Sequence, residues 1–201
     1  MSDTIALTFL ESDIAVLRFD APDRGANVLS QSVFEELKSH LDALESRKDL
    51  AGLVICSGKG GIFVAGADVR EFAANIGISS AESEAMASHG QALLRRLSQM
   101  PFVTVAAIQG VCLGGGAELA IWCDRRIVAN DERTQIGFPE VKLGLFPGWG
   151  GTVRTPRLVG ISNAVEIITS GRSVSAQEAV SMGLADLWVA PEDLEAAAVR
   201  V

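Results

Sequence analysis

The chain has 201 residues, 48% of them hydrophobic and 21% charged, with a formal net charge of -8 at pH 7. That length suits one domain, or one domain with an appendage, and supplies enough apolar residues for a sizeable core. The acidic balance argues against general binding to nucleic acid or to a membrane surface, but not against an anionic small ligand held by a local cluster of Lys and Arg. Cys56, Cys112 and Cys123 lie in apolar segments without CxxC spacing. They read as buried thiols of a reducing compartment, the cytoplasm. The start, "MSDTIALTFLESD", lacks the basic residues and long apolar run of a signal peptide. The uncharged stretch 97–117 holds Pro101, Gln109 and a run of glycines, which suits a membrane helix poorly.

In chain order, "IALTFL" and "IAVLRFD" are β-prone runs separated by "ESD", the pattern of an antiparallel hairpin. "SQSVFEELKSHLDALESR" predicts an amphipathic helix capped by Ser30, with Val33, Leu37, Leu41 and Leu44 on one face. "LAGLVICSG" and "FVTVAAIQG" predict buried strands, with the helical "SEAMASHGQALLRRLSQM" between them. "AELAIWCD" begins a helix directly after Gly114, Gly115 and Gly116, and "RRIVAND" predicts the next strand. "TQIGFPE" leads into a glycine-rich turn region. Short helices follow at "ISNAVEIITSG" and "SAQEAVSMG", then a last strand at "ADLWVA". Alternating strands and helices imply an α/β fold with largely parallel strands. The end, "EDLEAAAVRV", reads as a helix that has just begun, so residues 1–190 form the expected core and 191–201 the start of a truncated C-terminal helical region.

Three segments have the residue types of a reactive site. The first is "GVCLGGGAELAIWCD", residues 110–124, where three glycines open a helix carrying Glu118. Backbone N–H groups at a helix start have no internal partner, and glycine lets a ligand oxygen approach them. Glu118 follows Gly115 by three residues, so both can face one cleft, and the positive helix end favours its ionised form. The second is "GIFVAGADVREF", whose turn can offer another bare N–H to the same oxygen. The third is "GFPEVKLGLFPGWGG", where an apolar setting raises the carboxyl pKa of Glu140 and suits it to act as an acid. Each has a bland alternative: tight strand–helix packing, Asp68 capping a helix, and a solvated glutamate beside a turn proline. No metal-ligand pattern, P-loop or serine-hydrolase elbow accompanies them.

Together "FVAGADVREF", "IQGVCLGGGAELAIWCDRRIVA" and "IGFPEVKLGLFPGWGGTVRTPRLVG" resemble the crotonase superfamily, and their order and spacing resemble enoyl-CoA hydratases. "CDRRIVANDERTQIGFPE" most resembles the hydratase part of multifunctional β-oxidation proteins. The resemblance implies a repeated ββα spiral core. It implies hydration of the C2=C3 bond of trans-2-enoyl-CoA in fatty-acid β-oxidation, with Glu118 and Glu140 catalytic. Ala67 and Gly115 would supply an oxyanion hole, and Ala65, Gly66, Ala67, Asp68, Val69, Arg70, Gly114 and Gly115 would line the thioester site. The coenzyme A belongs to the substrate, so no separate cofactor or metal is implied, and a full-length chain would assemble as a homotrimer or hexamer. Arg24, Lys59, Arg70 and Lys142 are candidate cations for its phosphates. A Δ3–Δ2 enoyl-CoA isomerase and a non-catalytic acyl-CoA-binding module are the rival expectations. Gln109 and Trp149 depart from the residues most often found at their positions in the family.

Overall fold

A computed structural model describes residues 4–22, 24–74 and 77–201, so the first three residues of the N-terminal reading lie outside them. Strands β1 (Ile5–Leu10) and β2 (Ile14–Phe19) form the expected hairpin, Ile5 opposite Phe19. Helix α1 (Gln31–Glu45) starts at Ser30, whose hydroxyl accepts from the Val33 N–H, and buries the four expected residues together with Phe34. There follow β3 (Gly52–Ser57), β4 (Ile62–Val64), α2 (Val69–Ala74) and α3 (Ser80–Arg95). Next come β5 (Val103–Ile108), β6 (Val111–Leu113), α4 (Gly115–Trp122), β7 (Arg125–Ala129) and β8 (Gln135–Gly137). The chain continues through α5 (Gly151–Val159), α6 (Ile161–Ser170), β9 (Ser173–Ser175), α7 (Ala176–Ser181), β10 (Leu187–Val189) and α8 (Leu194–Arg200).

A six-stranded sheet runs β1-β2-β3-β5-β7-β10, parallel from β2 onward. A four-stranded sheet runs β4-β6-β8-β9, parallel except for its last pair. Consecutive strands alternate between the sheets: β3 then β4, β5 then β6, β7 then β8, each pair followed by a helix. This is the ββα spiral that the resemblance implied. It stacks the chain reversals that follow β4, β6 and β8, and those reversals hold the three segments singled out above.

Parallel strands buried on both faces explain the unbroken apolar runs of "LVICS" and "VTVAAI". Leu53, Ile55, Ala106, Ile108 and Val128 face the main core with the helices and the smaller sheet. Val54, Cys56, Val105, Ala107 and Ile127 face the other way, onto Leu194 and Ala198 of α8. The three cysteines are buried and unpaired with one another. Among the described residues no helix is long and apolar enough to cross a membrane.

Two features depart from the sequence reading. The glycine-rich turn region contains a helix, α5, which starts at Gly151 and runs through Pro156. Pro156, the sixth helical residue, has no N–H to give the Thr152 carbonyl, so α5 runs on past one missing backbone bond. The smaller sheet is built from strands of 3 residues, too short to show a period of two.

Candidate active site

Strand β6 ends at Leu113 and α4 opens at Gly115, so the backbone reverses through Gly114, whose φ is +52°. A Cβ on Gly114 would lie 3.1 Å from Glu140 Oε1. A Cβ on Gly115 would lie 2.5 Å from Trp149 Cζ3 and 3.4 Å from the Ala67 nitrogen. Gly116 lies against the Val64 carbonyl, where a Cβ has no room. The three glycines therefore bring a helix start directly onto the 65–68 loop; they do not loosen the chain.

That loop is held from behind by Asn27, which is fully buried. The Asn27 amide nitrogen lies within 3.0 Å of Phe19 O, Ser57 Oγ and Phe63 O, and its Oδ1 accepts from Ala21 N–H. Its carbonyl accepts from Ala65 N–H at 2.9 Å, while Leu29 N–H donates to Gly66 O and Asp68 N–H to Leu29 O. The N–H of Ala67, between those two, and the N–H of Gly115 have no partner among the described residues. Two bare donors beside one glycine fit the geometry needed to stabilise a developing oxyanion.

Glu118 lies one turn into α4 and is 2% exposed. Its Oε1 accepts from Trp149 N–H at 2.7 Å and from Gly151 N–H at 2.8 Å. Burial pushes its pKa up to about 8; the Gly151 N–H opposes this, the charge of Glu140 adds to it, and the Trp149 N–H opposes it again. The sequence reading expected the helix start to keep Glu118 ionised. At this position desolvation outweighs that field.

Glu140 stands in the 3-10 turn Pro139–Leu143, behind the fully buried Phe138. Burial raises its pKa as expected, against a backbone N–H that lowers it. Its Oε2 is buried without a hydrogen-bond partner. A buried carboxyl oxygen without a partner has hydrogen-bonding capacity to spare.

Of the remaining predicted residues, Ala65 and Gly66 build the loop, and Val69 is 58% exposed at its rim. Asp68 accepts from Arg70 N–H, so it does cap α2. The guanidinium of Arg70 and then that of Arg24 hold its carboxyl well below the usual carboxylate range. Two arginines thus share one carboxylate at the loop, and the charge of Glu71 also acts on Arg70. Lys59 is engaged by Asp20 at 3.1 Å and by the Ala21 carbonyl, and Lys142 is exposed on the Glu140 turn. Sequence reasoning missed Asn27 and the N–H groups of Trp149 and Gly151. Their contacts join residues far apart in the chain, and a backbone donor has no sequence signature.

A spiral of ββα units here sets two free N–H groups beside two carboxyls of raised pKa, an arrangement that can stabilise a developing oxyanion. Comparison with known proteins shows the family. The family model described as Enoyl-CoA hydratase/isomerase matches residues 10–201, and the chain belongs to that family. It is 40% identical over 195 residues to the fatty acid oxidation complex subunit alpha of Psychrobacter sp. (strain PRwf-1), covering 97% of this chain and 27% of that protein. The corresponding subunit of Aliivibrio fischeri is 43% identical over 192 residues, 94% of this chain and 28% of that protein. The chain thus spans little more than a quarter of these curated relatives. Among solved structures it resembles an enoyl-CoA hydratase from Bacillus anthracis (TM-score 0.89, 32% identity, 98% of this chain and 74% of that one). It also resembles the human mitochondrial delta3-delta2-enoyl-CoA isomerase (TM-score 0.88, 30% identity, 98% and 75%).

Proposed function

We propose that the chain hydrates trans-2-enoyl-CoA thioesters in fatty-acid β-oxidation. The observation that carries this reading is the pairing of Glu118 and Glu140 beside the free N–H groups of Ala67 and Gly115. The thioester oxygen accepts from both N–H groups, which polarises the conjugated C=C. Glu118, its carboxyl fixed through Oε1, orients a water and takes its proton as the water oxygen bonds to C3. The π electrons move onto the thioester oxygen. Glu140 then delivers its proton to C2 and the carbonyl re-forms. One water is added, and the proton the pair started with has moved from Glu140 to Glu118. Exchange with solvent resets it.

This sequence needs the proton on Glu140 at the moment of attack, and burial raises the pKa of both carboxyls. A bound thioester covers the more open Glu140 and removes it from water, which moves the proton in the required direction. Two carboxylates favour hydration over isomerisation, which needs a proton moved but no water activated. The likeness to the human isomerase supports a second reading, Δ3–Δ2 isomerisation at the same site. The substrate's coenzyme A would meet the exposed guanidinium groups of Arg24 and Arg70 at the loop. Exposed Leu143, Phe146, Ile161 and Val165 supply an apolar face that supports the expected trimer or hexamer.

The test is loss of conjugated-thioester absorbance with crotonyl-CoA and purified protein. We expect turnover, reduced by about 10²–10⁴-fold in Glu118→Gln and in Glu140→Gln. Turnover of a 3-enoyl-CoA without hydration of crotonyl-CoA would select the isomerase. Binding of coenzyme A without either reaction would select a binding module.

A further inference from the structure

At the C-terminal end of α4, a cleft of about 560 Å³ opens between the end of α3, Trp122 and α5. Such a volume suits a small-molecule ligand. Arg95, Arg154 and Arg157 all line it. Elsewhere arginines are held by carboxylates, from Arg18 with Glu195 to Arg172 with Glu166 and Glu178. Among the described residues, Arg95, Arg154 and Arg157 form no ion pair; the only other arginine without one is Arg200, near the chain end. A chain of net charge -8 thus collects three of the four arginines without an ion pair, among the described residues, in one concavity.

The site is built rather than loose. Arg154 is half-buried, its Nε donates to Ile121 O at 2.7 Å, and its guanidinium lies 4.2 Å from the Trp122 ring centroid. This fixes the plane of the group and leaves its two terminal nitrogens for a ligand. Trp122 is itself fixed, its Nε1 donating to Trp149 O at 2.6 Å. Burial and then the like charges of Arg126 and Arg157 hold the Arg154 pKa down. Asp124 also acts on Arg154, but its Oδ2 accepts from both the N–H and the hydroxyl of Thr104. Arg126 is satisfied by Asp186 and by the Cys123 and Leu184 carbonyls. The cationic charge facing the cleft is therefore left to an incoming anion.

We infer that this cleft binds a phosphate-bearing small molecule of at least two negative charges, with Arg95, Arg154 and Arg157 as its ligands. Guanidinium forks match phosphate oxygens two at a time, and three forks suit a compact di- or polyphosphate better than a single carboxylate. The indole of Trp122 forms the apolar wall and reports occupancy. The cleft also backs onto the loop that holds Glu118, since Gln91 Nε2 donates to Gly148 O and Trp122 to Trp149 O.

The experiment is titration of the purified chain with inorganic pyrophosphate at constant ionic strength, read by calorimetry and by tryptophan fluorescence. Arg95→Gln with Arg157→Gln is the test variant, because both side chains are exposed and make no hydrogen bond that the fold needs. Arg200→Gln is the control. We expect one saturable site with a Kd below about 1 mM, weakened at least about tenfold in the double variant and unchanged in the control. No saturation by about 10 mM, or equal binding by the double variant, overturns the proposal. Citrate binding more tightly than pyrophosphate also overturns it, in favour of a carboxylate-bearing partner.

Discussion

Replacing Gly115 by alanine separates two roles of one residue. The new methyl would press on the Trp149 indole and approach the Ala67 nitrogen, the neighbourhood of the oxyanion. We expect Gly115→Ala to fold with a cost of about 1–3 kcal/mol, as over-packing does, and to lose most of its turnover. Adding Trp149→Ala should restore stability more than activity, measured by urea unfolding and crotonyl-CoA hydration on the same samples. Glu118 makes a prediction with a sign. Its folded pKa lies near 8 against an ordinary 4.5, so the native state holds the proton more tightly than the unfolded chain does. That contribution is complete below pH 4.5 and is lost as pH rises through 8. Wild type should therefore lose stability relative to Glu118→Gln across this window, in denaturant melts at stepped pH. Asn27→Ala should cost about 2–4 kcal/mol, since it strips several partners from a fully buried amide. The glycines and glutamates of the site were legible because their chemistry needs particular residue types at short spacing. Asn27 was not, because its partners at Ser57 and Phe63 come from 30 and 36 residues away.

At the scale of elements, the hairpin, α1 and the long parallel strands were legible from periodicity and buried apolar runs. The smaller sheet was not, because each of its strands is shorter than two repeats of the pleat. Helix α5 was hidden for a different reason. Its first residue is glycine, it follows Gly148, Trp149 and Gly150, and Pro156 interrupts it, so each local signal reads as turn. Tertiary demand overrides that reading: Gly151 must approach Glu118, and Thr155 and Val159 are buried. Helix α8 illustrates how a short element is held by packing and not by propensity. Leu194 and Ala198 cover the outer face of the larger sheet, and Arg18 pairs with Glu195 at 2.8 Å. Leu194→Ala should cost about 2–4 kcal/mol in chemical denaturation and leave crotonyl-CoA hydration unchanged, because the opposite face of the sheet carries the site.

For the whole molecule, the exposed apolar residues and the acidic surface make opposite demands on association. Phe146 and Ile161, 73% and 74% exposed, favour burial between copies, while a net charge of -8 disfavours it at low salt. Light scattering should find an assembly larger than one chain at physiological salt, and Phe146→Asp with Ile161→Asp should return it to a monomer. The cysteines turn the two-sided core into a clock. Burial raises all three thiols, Cys56 to about 11 and Cys123 to about 12, and Cys112 is wholly enclosed. The folded chain should thus be nearly inert to alkylating reagents, and any labelling counts openings of the structure. Cys56 lies under α8 and Cys112 and Cys123 lie in the main core, so the first mass increment dates the lifting of one helix and the later two date the unfolding of the whole chain.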